Sequence, residues 1–107
     1  MKINILGKTW TIHKDKVAAD HGQFWGFTDL KKQEIIIDPD AHNDLARETL
    51  MHELMHVAYW NAGLAKTPKL DDVAVEELLI AAISRQLYGY MKENDLLNLK
   101  GFDKLLK

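Results

Sequence analysis

At Asp38-Pro39-Asp40 the hydrophobic period of the chain changes from strand-like to helical, and this switch limits the possible folds more than any other feature. Upstream, Lys2 to Leu6 and Thr9 to His13 read as strands around Gly7-Lys8, a two-residue turn candidate whose glycine tolerates positive φ. A polar stretch follows from about Lys14 to Gly22. In Gln23 to Thr28, Trp25 and Phe27 fall on one strand face and Phe24 on the other. Asp29 to Lys32 is the expected turn into Glu34 to Ile37. Three consecutive isoleucines there suggest a strand buried on both sides.

Downstream, Leu45, Leu50, Leu54, Val57 and Ala58 follow helical spacing within a segment from about His42 to Asn61. Gly63 lies just past its end, where a left-handed residue closes a helix. A loop from Leu64 to Leu70 contains Pro68. Asp71 or Asp72 can cap a second helix that runs to about Glu93 and is closed by Asn94. The last dozen residues, interrupted by Gly101, form a short helix or docked tail. Strands followed by helices indicate an α+β fold, and 107 residues suit one domain spanning 1–107.

Composition narrows the chemistry. The net charge is −2 with both signs interspersed, which is not the footprint of a nucleic-acid binder. Lys100, Lys104 and Lys107 read as a solvated face. The chain has no cysteine, so a zinc site would have to use His, Asp and Glu. The first residues are too short and polar for a signal sequence, and no apolar run is long enough for a bilayer. A cytoplasmic location with no membrane partner is expected.

Within the first helix stands His52-Glu53-Leu54-Met55-His56. Residues four apart share a helical face, so His52 and His56 can converge on one ion through neutral imidazole nitrogens. Glu53 lies beside the first histidine, in reach of a water whose pKa zinc lowers toward about 7, and can act as its general base. A chance match in a chain of this composition has a probability of roughly one in a hundred. A catalytic zinc also needs a third protein ligand. On the next helix Leu79, Ile80, Ile83, Leu87 and Tyr90 form an apolar stripe with Glu76 near its middle. A carboxylate facing a core must be paired or bind a cation, so Glu76 is the first candidate. Glu77, about 100° away, reads more as a solvated acid, though it remains the alternative.

Other residues carry weaker expectations. Glu48 or Thr49 could orient His52. Tyr59, Tyr88 or Tyr90 could donate to an oxyanion, although each is more often a packed aromatic. His13, His21 and His42 read as surface residues, and Trp10, Trp25 and Trp60 as core.

The stretches Gly26-Phe27-Thr28-Asp29, Glu34-Ile35-Ile36-Ile37-Asp38 and Glu48-Thr49-Leu50-Met51-His52-Glu53-Leu54-Met55-His56, with Val75-Glu76-Glu77-Leu78-Leu79 downstream, carry a family likeness. The chain resembles the minimal gluzincin-like metallopeptidases of phage and prophage genomes, related to the ImmA/IrrE type. That resemblance implies a small antiparallel sheet beside the active-site helix. It also implies His52, His56 and Glu76 as zinc ligands, Glu53 as catalytic base, and a protein or peptide substrate. Many members carry a histidine four residues after the motif, where this chain has Trp60.

Two readings follow: a zinc metallopeptidase, or a zinc-bound, non-catalytic interaction module such as a phage accessory protein. The intact Glu53 favours the first. Because Glu34 to Ile37 leads into the motif helix, it is also expected near the cleft as an edge strand for an extended substrate; if the triple isoleucine marks a central strand instead, another edge must do this work.

Overall fold

Leu6 and Gly7 turn the chain back with φ of 48° and 83°. Strand β1 (Lys2–Ile5) therefore pairs antiparallel with β2 (Lys8–Lys14), Ile5 opposite Lys8. The turn sits one residue earlier than the sequence suggested, because a tight hairpin places both central residues at positive φ and the glycine takes the second place. The structure, a computed structural model, describes residues 1–16 and 25–107. Gln23, Phe24 and His21 lie outside the described residues.

Strand β3 (Gly26–Asp29) and β4 (Glu34–Ile37) form a second antiparallel pair. Asp29 Oδ1 organises their turn by accepting from the Lys31 and Lys32 amides, each at 3.0 Å. The strand order is β1-β2-β4-β3, and β4 runs parallel to β2. The sheet is thus mixed, which corrects the expectation of an antiparallel one. It also removes the edge-strand role expected for Glu34 to Ile37, which is paired on both sides. Ile35, Ile36 and Ile37 are all buried, and an interior strand with neighbours on both edges covers such a run better than an edge strand does. The edge position nearest the helices goes to β3.

Helix α1 (Asn43–Asn61) begins after His42 and ends at Ala62, with Gly63 left-handed at φ 79° as expected. Its sheet-facing side places Ala46, Leu50 and Val57 against Trp10, Ile12, Ile35 and Ile37, forming the core. A 3-10 turn at Leu64–Lys66 leads to α2 (Val73–Glu93), whose cap Asp72 accepts from the Ala74 amide at 2.7 Å. Helix α3 (Leu99–Leu105) returns the tail to the core through the buried Leu106. Arg47 holds it there by donating to both oxygens of Asp103 at 2.8 and 2.9 Å. No helix among the described residues is long and apolar enough to cross a membrane.

Helix α2 packs on α1 with a phase that departs from the expected stripe. Its buried residues are Glu76, Ile80, Ser84 and Tyr88, whereas Leu79, Ile83, Leu87 and Tyr90 are exposed. Of the three tryptophans expected in the core, Trp10 is buried; Trp25 and Trp60 remain 42% and 41% exposed.

Candidate metal centre

His52 and His56 stand one turn apart on α1, and their Nε2 atoms lie 3.2 Å from each other. Two ligands of one tetrahedral zinc, with bonds of about 2.0–2.1 Å, stand roughly 3.3 Å apart. The histidine pair therefore has the separation that a single zinc requires. From α2, Glu77 reaches the same point, with Oε1 2.8 Å from His52 Nε2 and Oε2 2.9 Å from His56 Nε2. Glu76 approaches from behind, its Oε2 2.6 Å from His56 Nδ1.

This pattern separates the two acids chemically. If His56 donates its Nδ1 proton to Glu76, the neutral ring presents a bare lone pair at Nε2, facing a carboxylate oxygen of Glu77. Two acceptors at 2.9 Å repel unless positive charge, from a proton or a metal ion, lies between them. Glu77 thus faces the Nε2 side of both rings, and Glu76 the Nδ1 side of His56. Helical phase had put Glu76 in the ligand position. Glu76 is indeed the buried member of the pair, but its carboxylate is turned to the far nitrogen of His56. The side chain of Glu77, 32% exposed, bends inward across the quarter-turn between them.

Burial holds the His52 imidazole below its ordinary pKa, partly opposed by the neighbouring Glu77, and so favours a neutral ring with a free lone pair. His52 Nδ1 lies 3.4 Å from Ser84 Oγ on α2. Neither Glu48 nor Thr49 takes the expected place beside that ring: the Thr49 hydroxyl donates to the Leu45 carbonyl at 2.6 Å.

Glu53 points from α1 towards β3, where Thr28 Oγ1 donates to its Oε1 at 2.7 Å. Its other oxygen, Oε2, lies 3.9 Å from His52 Nε2. Burial pushes the carboxyl up to about 7; the Thr28 hydrogen bond opposes that shift. The ligand-type atoms of His52, Glu53 and His56 all lie within 4.8 Å of one another.

Two contributors stand in a stretch that carries the family likeness but had no site role assigned from the sequence. Thr28 is one, a polar residue in a short aromatic strand. Gly26 is the other. A Cβ added there would stand 2.7 Å from Thr49 Cγ2 and 3.1 Å from Glu53 Cγ, so only glycine lets β3 lie this close to α1. A glycine inside a strand is a usable sign of such close approach.

The tyrosine hydroxyls are engaged elsewhere: Tyr59 with the Leu70 carbonyl, Tyr88 with Asp44 and Tyr90 with Gln86. A cleft of about 760 Å³ opens over the centre between β3, the end of α1 and the start of α2. His52, Glu53, His56, Glu76 and Glu77 all line it. Comparisons with protein-family models, with curated proteins and with solved structures find no match for this chain.

Proposed function

We propose that this chain is a zinc-dependent metallopeptidase with a zincin-like arrangement, in which a metal-activated water hydrolyses a peptide bond. The observation that carries this reading is the convergence of His52 Nε2, His56 Nε2 and the Glu77 carboxylate on one point, beside the buried carboxylate of Glu53. Two imidazoles and one carboxylate are a donor set suited to catalytic zinc, and they leave a fourth position open. When bound, zinc would polarise the scissile carbonyl and lower the pKa of the attacking water.

The chain's own residues would do the remaining work. His52, His56 and Glu77 hold the ion, and Glu76 fixes the His56 ring. This reading moves the third ligand from Glu76, favoured by helical phase, to Glu77. Thr28 pins Oε1 of Glu53 and leaves Oε2 to take the water's proton. Burial pushes that carboxyl up to about 7 in the metal-free chain; a bound cation would bring it back down and leave it ionised, ready to accept the proton. The cleft provides room for a protein or peptide segment over these groups.

Metal analysis of the purified protein should find one zinc per chain, and His52→Ala or His56→Ala should abolish tight binding. Glu53→Gln should retain zinc and fold while losing turnover on a peptide library by about 10²–10⁴-fold. A zinc-loaded wild type that cleaves nothing would instead favour the non-catalytic interaction module. Cleavage by Glu53→Gln at the wild-type rate would remove Glu53 as the base.

A further inference from the structure

Above the charged floor of the cleft, its walls are apolar. Phe27 and Leu30 contribute from β3 and its turn, Trp60 from the end of α1, and Val73 and Ala74 from the first turn of α2. Trp60 follows His56 by one helical turn and so shares the metal-facing side of α1. It is 41% exposed, and Val73 across the cleft is 78% exposed. Large apolar groups left in water beside a reactive centre are a standing source of binding free energy, realised when a ligand covers them.

We infer that Trp60 is the specificity-determining residue of this cleft, selecting peptides with a large apolar side chain, aliphatic or aromatic, beside the reacting bond. The inference rests on the peptidase reading for its substrate class, but selection by Trp60 can be measured without turnover. The indole and Val73 line the same cleft as the histidine pair. A phenylalanine or leucine side chain bound there takes part of both out of water. Alanine leaves them wet.

The test uses zinc-loaded Glu53→Gln protein, which holds peptide without consuming it. Fluorescently labelled, end-blocked peptides identical except for one Phe, Leu, Ala or Asp are compared by anisotropy. Phe and Leu peptides should bind about tenfold or more tighter than Ala, while the Asp peptide reports any direct carboxylate binding to the zinc. Adding Trp60→Ala should compress the Phe-to-Ala ratio to within about threefold, while Trp60→Phe retains most of it. Zinc stoichiometry and far-ultraviolet circular dichroism establish that each variant is folded. An unchanged ratio in Trp60→Ala, no preference in the parent protein, or no binding by any peptide overturns the inference. A cleavage profile with otherwise wild-type protein distinguishes the two ideas. Selective binding without any cleavage sinks the peptidase reading alone. Cleavage with a profile indifferent to Trp60 sinks only the specificity assignment.

Discussion

The two long helices, α1 and α2, bury opposite kinds of surface. Helix α1 lies between the sheet and α2: Leu50 and Val57 face the isoleucines of β4, and His52 and His56 face α2. Helix α2 reverses the usual arrangement. Beside one aliphatic side chain, Ile80, its buried residues are Glu76, Ser84 and Tyr88, while Leu78, Ile83 and Leu87 are 69%, 50% and 40% exposed. An amphipathic surface helix normally turns its apolar stripe inward. Here the docking of α2 follows its polar partners: Glu76 and Glu77 on the histidines, Ser84 beside His52, and Tyr88 on Asp44. Helix α1 is held by hydrophobic burial, whereas α2 is held largely by the chemistry of the site.

That contrast can be broken by experiment, most sharply by truncating one apolar residue on each helix. Leu50→Ala, in the fully buried core, should lose about 2–5 kcal/mol in denaturant unfolding. Ile83→Ala should stay within about 0.5 kcal/mol. Equal losses would mean that the outer face of α2 contributes to stability as a core does.

The next effect concerns the one buried carboxylate on α1. Glu53 has a folded pKa raised to about 7 from 4.5, so folding favours its neutral form. The associated stability is fully present below the unfolded value and lost as pH rises through about 7. In metal-free protein at pH 8, Glu53→Gln should therefore be more stable than wild type by about 3 kcal/mol, the energy equivalent of that shift. The difference should fade towards pH 4.5. A constant difference across this range would show that ionisation of Glu53 is not what opposes folding.

On the side of α2, Glu77→Ala should weaken zinc binding at least about tenfold more than Glu76→Ala, measured against a competing chelator. Losing a partner that orients a ligand costs about 10–100-fold, and losing the ligand itself costs more. The reverse order would return the ligand role to Glu76. The smallest effect is expected at the far end of α2, where Tyr88 donates to Asp44 Oδ1 at 2.7 Å and Lys92 to Oδ2 at 2.6 Å. Tyr88→Phe should cost about 1 kcal/mol, the net worth of one such bond. No change would shift the docking of α2 still further onto the contacts of Glu76 and Glu77 with the histidines.

How much of this was legible in the chain depended on how local the cause was. The period switch at Asp38-Pro39-Asp40, the Asp72 cap and the left-handed Gly63 all arise within a few residues, and the structure has each of them. The spacing of His52 and His56 needs only the pitch of one helix to bring the rings together. The burial of Ile35 to Ile37 on both sides was also local, and it left edge and central strand as alternatives. A strand covered on both faces belongs in mid-sheet, and that excludes it from the edge.

The sequence by itself determined the elements, the α+β order and the histidine pair with its adjacent Glu53, because helical pitch and strand alternation are properties of the chain's own backbone. Only the tertiary structure decided that β2 and β4 run parallel, that β3 takes the edge, that Trp60 stays in solvent, and that Glu77 rather than Glu76 faces both Nε2 atoms. Helical phase says which direction a side chain leaves its own axis. Which of two adjacent carboxylates meets a given nitrogen depends on the rotation and crossing of a second helix. That rotation was set by polar contacts between residues 20 to 44 positions apart in sequence, such as His56 with Glu76 and Asp44 with Tyr88. No local period encodes such contacts.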